Sequence, residues 1–428
     1  MYTLRGALLW EASDTLTEQD MYVGQFIRDT PRSGALAVSL EGYTIFPGQV
    51  NAHDHLELNH YPRTKYRERY ESAHDWGEDV SVHLDDELFR HLRAVPLADR
   101  CFIGGLKNLL CGALIVAHHN PPHRCLFQRD FPVRVLRRYG WAHSLHFSTD
   151  AEIVRSYRAT PAHVPWFIHL AEGVDDSAAG EYRRLCTLGC VGGNTVLVHG
   201  VGMTDEDIAD AATRVRGLVV CPTTNDYLLG DSLHSIALRW HTAGGRLAWG
   251  SDSRLTAAGD LLAELEPIIF PLVDFFGAAR DWEMSTRFHE VVNFQIWMHR
   301  ARLHLETAAV LGVESDSRLK PGAPSDMVIV AGVYPPFADR RAYHEVLKHR
   351  RADLALILRG GVPQVGDPDL MAKFTDVQTV PALLDGVPKR VHLRLAQQVA
   401  RCSLQEPGFE LDPDFVREQH KHTCIRWR

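Results

Sequence analysis

Phe46-Pro47-Gly48-Gln49-Val50-Asn51-Ala52-His53-Asp54-His55 is the stretch from which the rest of the chain can be read. A Pro-Gly turn feeds a short run that ends in two histidines one residue apart. Alternate side chains of a strand share a face. His53 and His55 are therefore expected to project together from the strand's C-terminal end, their imidazoles close enough to share a metal ion. A His-x-His pair alone is weak evidence in a chain with 24 histidines. Its companions along the sequence decide the matter.

Trp166-Phe167-Ile168-His169-Leu170-Ala171-Glu172 is an apolar run ending in a histidine, with a glutamate three residues on. Thr195-Val196-Leu197-Val198-His199-Gly200 repeats the pattern. Leu218-Val219-Val220-Cys221-Pro222 ends in Thr223, Thr224 and Asn225, and Arg246-Leu247-Ala248-Trp249-Gly250-Ser251-Asp252 closes on an aspartate. Short continuous apolar runs suit strands buried on both faces, as in parallel sheets. Polar residues at their C-terminal ends are where barrel enzymes place their chemistry. Between the runs lie helix-compatible segments: one opened by Thr204 as N-cap, another from Asp176 to Gly189. Alternating strands and helices imply a parallel α/β fold. Six strand ends are clear, including Ala113 to Ala117. Ala142 to Phe147 is a weaker seventh, and no eighth is visible.

The Pro-Gly-x-x-Asn-Ala-His-x-His entry, His169-Leu-Ala-Glu172, Val198-His199-Gly200, Cys221-Pro222-x-x-Asn225 and Gly250-Ser251-Asp252 occur in an order that resembles the amidohydrolase superfamily. The likeness is to its branch of cytosine, guanine and triazine deaminase-like enzymes. Leu319 to Val330 is similar to that family's C-terminal strand signature. The resemblance implies an α/β fold, a (β/α)8 TIM-type barrel over 49–318. It also implies a small β-sandwich formed from N- and C-terminal segments, 1–48 with 319–365. Residues 366–428 are expected as a C-terminal helical extension packing on the barrel, with Val391 to Ala400 an amphipathic helix within it.

The expected metal ligands are His53, His55, His169 and Asp252, three imidazoles and a carboxylate with a position left for water and substrate. One divalent metal is expected, zinc favoured and iron the alternative, since imidazole suits both. Binuclear relatives carry a carboxylated lysine on a middle strand, and neither Ala113 to His119 nor Ala142 to Asp150 contains one. Glu172 is the expected proton shuttle for the attacking water. The resemblance gives His199 a hydrogen-bonding role toward water or substrate, with service as a further ligand the alternative. Catalysis is thus assigned to Glu172, His199 and Asp252.

For substrate binding the candidates are His118 and His119 at the end of the Ala113 run, Asn225, Trp76, and Arg254 two residues past Asp252. Leu58 to Asp86, rich in aromatic and basic residues, is expected as a loop over the active-site mouth. Arg63, Lys65, Arg67 and Arg69 there, with Arg254, suggest a small-molecule substrate bearing an anionic group. The reading is a hydrolase acting on a carbon–nitrogen bond, foremost the deamination of an amino-substituted heterocycle. Hydrolysis of a cyclic or linear amide is the alternative, and a scaffold without catalysis is a third.

At 428 residues with a formal charge of −8, the chain has room for one large barrel and a smaller unit. It lacks the basic stripe of a nucleic-acid binder. No apolar run approaches the ~20 residues that span a bilayer, and Met1 to Trp10 lacks a signal-peptide pattern. Eight scattered cysteines without a Cys-x-x-Cys pair read as reduced thiols of a cytoplasmic protein. A homodimer is an open expectation.

Overall fold

The computed structural model describes residues 1–10, 16–230, 235–264, 304–331 and 350–425. Eight strands carry the candidate site: β1 (Gln49–Asp54), β2 (Ala113–His118), β3 (Arg134–Val135), β4 (Gly140–Ser144), β5 (Trp166–Leu170), β6 (Thr195–His199), β7 (Gly217–Val220) and β8 (Leu247–Trp249). All run parallel to their partners. β3, β2 and β1 form one sheet, and β4 to β8 in sequence order form a second.

Strand pairing among the described residues thus draws two sheets, not the single closed ring expected. Hydrogen bonds nevertheless cross both gaps. The Asp252 N–H, past the end of β8, donates to the His53 carbonyl of β1 at 3.0 Å. On the other side His119 Nε2 lies 3.0 Å from the Ala142 carbonyl of β4. The strand missing from the sequence reading is β3, only two residues long. So short a run carries no periodicity to read.

The apolar runs are strands because both faces are covered. Along β5, Trp166, Ile168 and Leu170 pack with Ile153, Tyr182 and Leu185 of flanking helices. Phe167 shares the opposite face with Val196, Val198 and Val219 of neighbouring strands. His169, two residues on, continues that inner face at the C-terminal end. Helix starts follow the local chemistry. Thr204 Oγ1 accepts from the Asp207 N–H, and Thr149 with Glu152 closes a capping box.

The remaining strands form a nine-stranded and a four-stranded sheet. In the larger one Tyr43–Pro47 from the N-terminal segment pairs antiparallel with Met327–Ala331 from the C-terminal one. Leu4, Val23 and Val38 of the small sheet share a core with Leu9, Ile45, Ile329 and Leu356 of the large one. The tail differs from the expected helical extension. Thr379–Leu384, Val387–His392 and Phe409–Leu411 add three strands to the large sheet. Thr379–Leu384 alternates buried and exposed positions, the pattern of a half-covered strand. The amphipathic segment becomes the helix Leu393–Arg401. Among the described residues no helix is long and apolar enough to cross a membrane.

Candidate metal centre and active-site cleft

β1, β5, β6 and β8 deliver their terminal polar residues to one point. His53, His55 and His169 bring ligand atoms within 4.8 Å of one another. His53 Nε2 lies 3.2 Å from His169 Nε2. Asp252 Oδ1 stands 3.6 Å from His55 Nε2 and 3.9 Å from His53 Nε2. All four residues are buried. The strand ends are bent to achieve this: Ala171, His199 and Asp252 all adopt positive φ, uncommon for residues with a Cβ and typical of functional sites.

The hydrogen-bond network assigns the tautomers. His119 Nε2 faces the Ala142 carbonyl, which can only accept, so it carries a proton and leaves Nδ1 a lone pair. That lone pair faces His53 Nδ1 at 3.2 Å, so His53 donates through Nδ1. His169 Nδ1 donates to the His143 carbonyl at 2.8 Å. The two Nε2 atoms left facing each other are therefore both acceptors. Burial and the neighbouring imidazoles hold all three histidines well below the ordinary pKa, so extra protons do not relieve the clash. A cation between them does, and acceptors such as the His143 carbonyl and the His119 ring, bonded to the far nitrogen, orient metal-ligating histidines. His55 Nδ1 is also buried without a partner among the described residues. The donor set fits a divalent metal.

Asp252 is held for the same task. Its Oδ2 accepts from the hydroxyls of Thr224 and Thr256 at 3.0 and 3.2 Å, and its Oδ1 from the Ser253 N–H at 2.8 Å. Behind the site Lys107 Nζ is fully buried, 2.9 Å from Asp54 Oδ2. It also donates to Ser251 Oγ and the Asp252 carbonyl, each at 3.0 Å. Asn51, Asn59 and Asn108 complete the pairing of Asp54. This network ties the His-Asp-His turn to the Gly-Ser-Asp turn.

His199 donates from Nδ1 to Asn225 Oδ1 at 2.8 Å, leaving Nε2 3.5 Å from Glu172 Oε1. Glu172 lies in a cleft of about 690 Å³, counted to its open mouth. Burial, with Asp252 and Glu181 nearby, raises its pKa well above the usual carboxylate range. Glu181 lines the same cleft, its Oε2 accepting from the Ala171 N–H at 2.6 Å and its Oε1 3.9 Å from His74 Nε2.

The sequence-derived substrate contacts fare unequally. Trp76 lines the cleft, as do His74 and Ala73 of the expected covering segment. His119 does not, because it stands behind His53. His118 is turned away: its Nδ1 accepts from the Leu56 N–H and its Nε2 faces the Pro121 carbonyl. Asn225 is spent on His199. Arg254 forms a two-pronged pair with Glu406 at 2.8 and 2.5 Å and is absent from the cleft wall.

The basic residues of the covering segment are committed as well. Arg63 donates to the Thr256 and Thr223 carbonyls, Lys65 to those of Glu68 and Tyr227, and Arg69 to that of Gly230. Arg67 pairs with Asp79. Among the described residues no arginine or lysine lines the cleft, so none of these basic side chains is offered to an anionic group there. Sequence reading missed His143, Glu181 and Lys107. Only Lys107 left a signal, as a charge within the apolar run of Leu97–Leu110.

The sequence matches no known family profile and no curated protein sequence. Solved structures are similar along most of its length. Atrazine chlorohydrolase from Arthrobacter aurescens TC1, complexed with zinc, superposes with a TM-score of 0.62 at 16% identity, covering 88% of this chain and 99% of that one. An adenosine deaminase from Xanthomonas campestris with bound zinc gives 0.57 at 17%, over 88% and 96%. The Helicobacter pylori aminofutalosine deaminase, in complex with methylthio-coformycin, gives 0.54 at 13%, over 85% and 99%. The chain shares the fold of these three enzymes. At these identities the likeness speaks for the architecture.

Proposed function

We propose that the protein is a metal-dependent hydrolase that cleaves a carbon–nitrogen bond, foremost by deaminating an amino-substituted heterocycle. The observation that carries this reading is the pair of lone-pair-bearing Nε2 atoms of His53 and His169, 3.2 Å apart, beside a carboxylate and an open cleft. The support from relatives is that a chlorohydrolase and two deaminases share the fold, two of them with zinc. Zinc is accordingly favoured over iron, in a mononuclear centre held by His53, His55, His169 and Asp252. The strand order and the crossing hydrogen bonds support a (β/α)8 barrel, and the core shared by the two mixed sheets supports a composite sandwich.

A divalent metal at this centre supplies Lewis acidity and a water nucleophile at neutral pH. Glu172 takes the water's proton and hands one to the departing nitrogen. His199, its tautomer fixed by Asn225, orients Glu172 or the substrate through Nε2. Among the described residues the cleft offers carboxylates and imidazoles and no arginine or lysine, which favours a small neutral heterocycle carrying N–H donors.

Ammonia release from a panel of aminopurines, aminopyrimidines, pterins and amides tests the reading on zinc-loaded protein. The expected result is turnover of a neutral aminoheterocycle, poorer turnover of its carboxylated analogue, and a loss on the order of 10²–10⁴-fold in Glu172→Gln with metal content unchanged. Turnover confined to amides would replace deamination by amide hydrolysis. Near-full activity in Glu172→Gln would remove the shuttle.

A further inference from the structure

Two cleft residues with no part in the metal chemistry are brought side by side by the chain. Glu181 lies in the helix Asp176–Thr187 that follows β5, and His74 is the second residue of the helix Ala73–Val82 in the covering segment. Backbone hydrogen bonds tie that segment to the turn after β5. The Ala73 N–H donates to the Glu172 carbonyl at 2.8 Å, and the Val174 N–H to the Glu71 carbonyl at 2.7 Å. Gly173 permits the approach, since a Cβ there would stand 2.9 Å from the Glu71 carbonyl oxygen. His74 Nε2 is thereby set 3.9 Å from Glu181 Oε1, and both residues line the cleft.

Neither group is spent. Glu181 is 6% exposed, and its Oε2 accepts from the Ala171 N–H at 2.6 Å. Its Oε1 has no hydrogen bond among the described residues, the 3.9 Å to His74 being too long for one. The His74 ring likewise makes no hydrogen bond among them. It stacks on His146 with centroids 4.3 Å apart, which holds its plane. Burial and that neighbour keep its pKa below the ordinary histidine value, so the imidazole is neutral at pH 7 and above. An enclosed carboxylate oxygen without a donor is costly. The carboxylate beside it favours the His74 tautomer with its proton on Nε2. An acceptor and a donor thus stand next to each other on one wall.

We propose that Glu181 and His74 form a subsite that reads one edge of the substrate ring, an N–H beside a carbonyl or an unprotonated ring nitrogen. The inference rests on the reading of the protein as a hydrolase of amino-substituted heterocycles and names what selects among them. Glu181 Oε1 accepts the ring N–H, and His74 Nε2 donates to the neighbouring acceptor. Glu181 is bonded to Ala171 and Glu172 is the next residue in the chain, so one small molecule in the cleft reaches the proton shuttle and the subsite together.

The test measures steady-state ammonia release by zinc-loaded parent and Glu181→Gln. The probes are adenine, guanine, cytosine and isocytosine, each beside its ring-N-methylated forms. Assays at pH 8 keep Glu181, with its pKa of about 7, ionised. In Glu181→Gln the amide oxygen stays on the Ala171 N–H and the NH₂ turns to the cleft, so an acceptor becomes a donor. Methylating the ring N–H that is read is expected to cost the parent about tenfold or more in kcat/KM, the worth of one charge-assisted hydrogen bond. Glu181→Gln is expected to raise KM for the unmethylated ring by a similar factor, to change kcat little, and to lose the discrimination against the methylated form. Should Glu181→Gln fail to fold, His74→Phe decides, because it keeps the stack on His146 and removes the donor. It is expected to raise KM several-fold with kcat retained, and an unchanged KM would overturn the proposal. So would a methyl penalty that survives in Glu181→Gln, or a fall in kcat alike on every probe, which would leave Glu181 as a mere support for Ala171. These results leave the hydrolase reading standing, because the parent still turns its substrates over. Absence of ammonia from every probe with zinc-loaded parent would instead strike that reading, and the subsite with it.

Discussion

Glu181 shows how one side chain can couple the cleft to pH. Its carboxyl caps the N–H of Ala171, a residue bent to a φ of 51° just before Glu172. Burial raises its pKa to about 7, against the hydrogen bond from Ala171 that lowers it. In the unfolded chain the group ionises near the ordinary value of 4.5. Between these two values the unfolded state has released a proton that the folded state retains. The contribution of Glu181 to stability is thus fully present below about pH 4.5 and is lost as pH rises through 7. The whole swing is on the order of 3 kcal/mol at most. Glu181→Gln keeps an acceptor for Ala171 and removes the titration. Thermal melts of variant and parent from pH 4.5 to 8 are expected to show the variant gaining on the parent as pH rises. Parallel curves would mean that Glu181 ionises normally in the fold.

The strand ends were legible because their chemistry is local. An apolar run followed by His169 or Asp252 needs no tertiary information, and the turn after each run fixes where the side chain points. The partners that hold those residues were not legible, since they come from elements far apart in sequence. Arg254 looked like a free cation beside a ligand, and its partner Glu406 lies 152 residues on. Strand β3 escaped for the opposite reason, being too short to carry a pattern. The tail strands escaped because Pro381 and Pro388 suggested broken helix, whereas both fall in antiparallel pairing at Pro381–Arg390 and Leu383–Pro388.

Lys107 is the element-scale case that can be tested. The helix Leu97–Leu110 carries it on a fully buried face against Asp54, with 0% exposure on both sides. Lys107→Met conserves the stem and removes the charge, leaving Asp54 buried between the candidate ligands His53 and His55. Breaking such a pair costs about 3–5 kcal/mol. Denaturant unfolding is expected to show that loss, and chelator competition weaker metal binding. A stability change under about 1 kcal/mol would mean that the asparagines around Asp54 satisfy it without the lysine.

At the scale of the molecule, the C-terminal segment reaches the loop after β8 through one carboxylate. Glu406 is 1% exposed. It accepts from Arg254, two residues past Asp252, and from Arg351 at 2.6 Å, which also grips Asp385 and the Pro407 carbonyl. The pair Arg254–Glu406 therefore clamps the loop carrying Asp252 to the tail that extends the nine-stranded sheet. Removing one partner strands a buried charge, so Glu406→Gln and Arg254→Met are each expected to destabilise the fold by about 3–5 kcal/mol. The double variant should cost less than the sum, because the residues share one interaction. A substrate clamp predicts a different outcome. Arg254→Met would then raise KM for a carboxylated substrate while sparing its neutral analogue, with little change in melting temperature. Measuring both variants by unfolding, and Arg254→Met on both substrates, separates the two roles. Unchanged stability with a KM effect confined to the acid would return Arg254 to the substrate side.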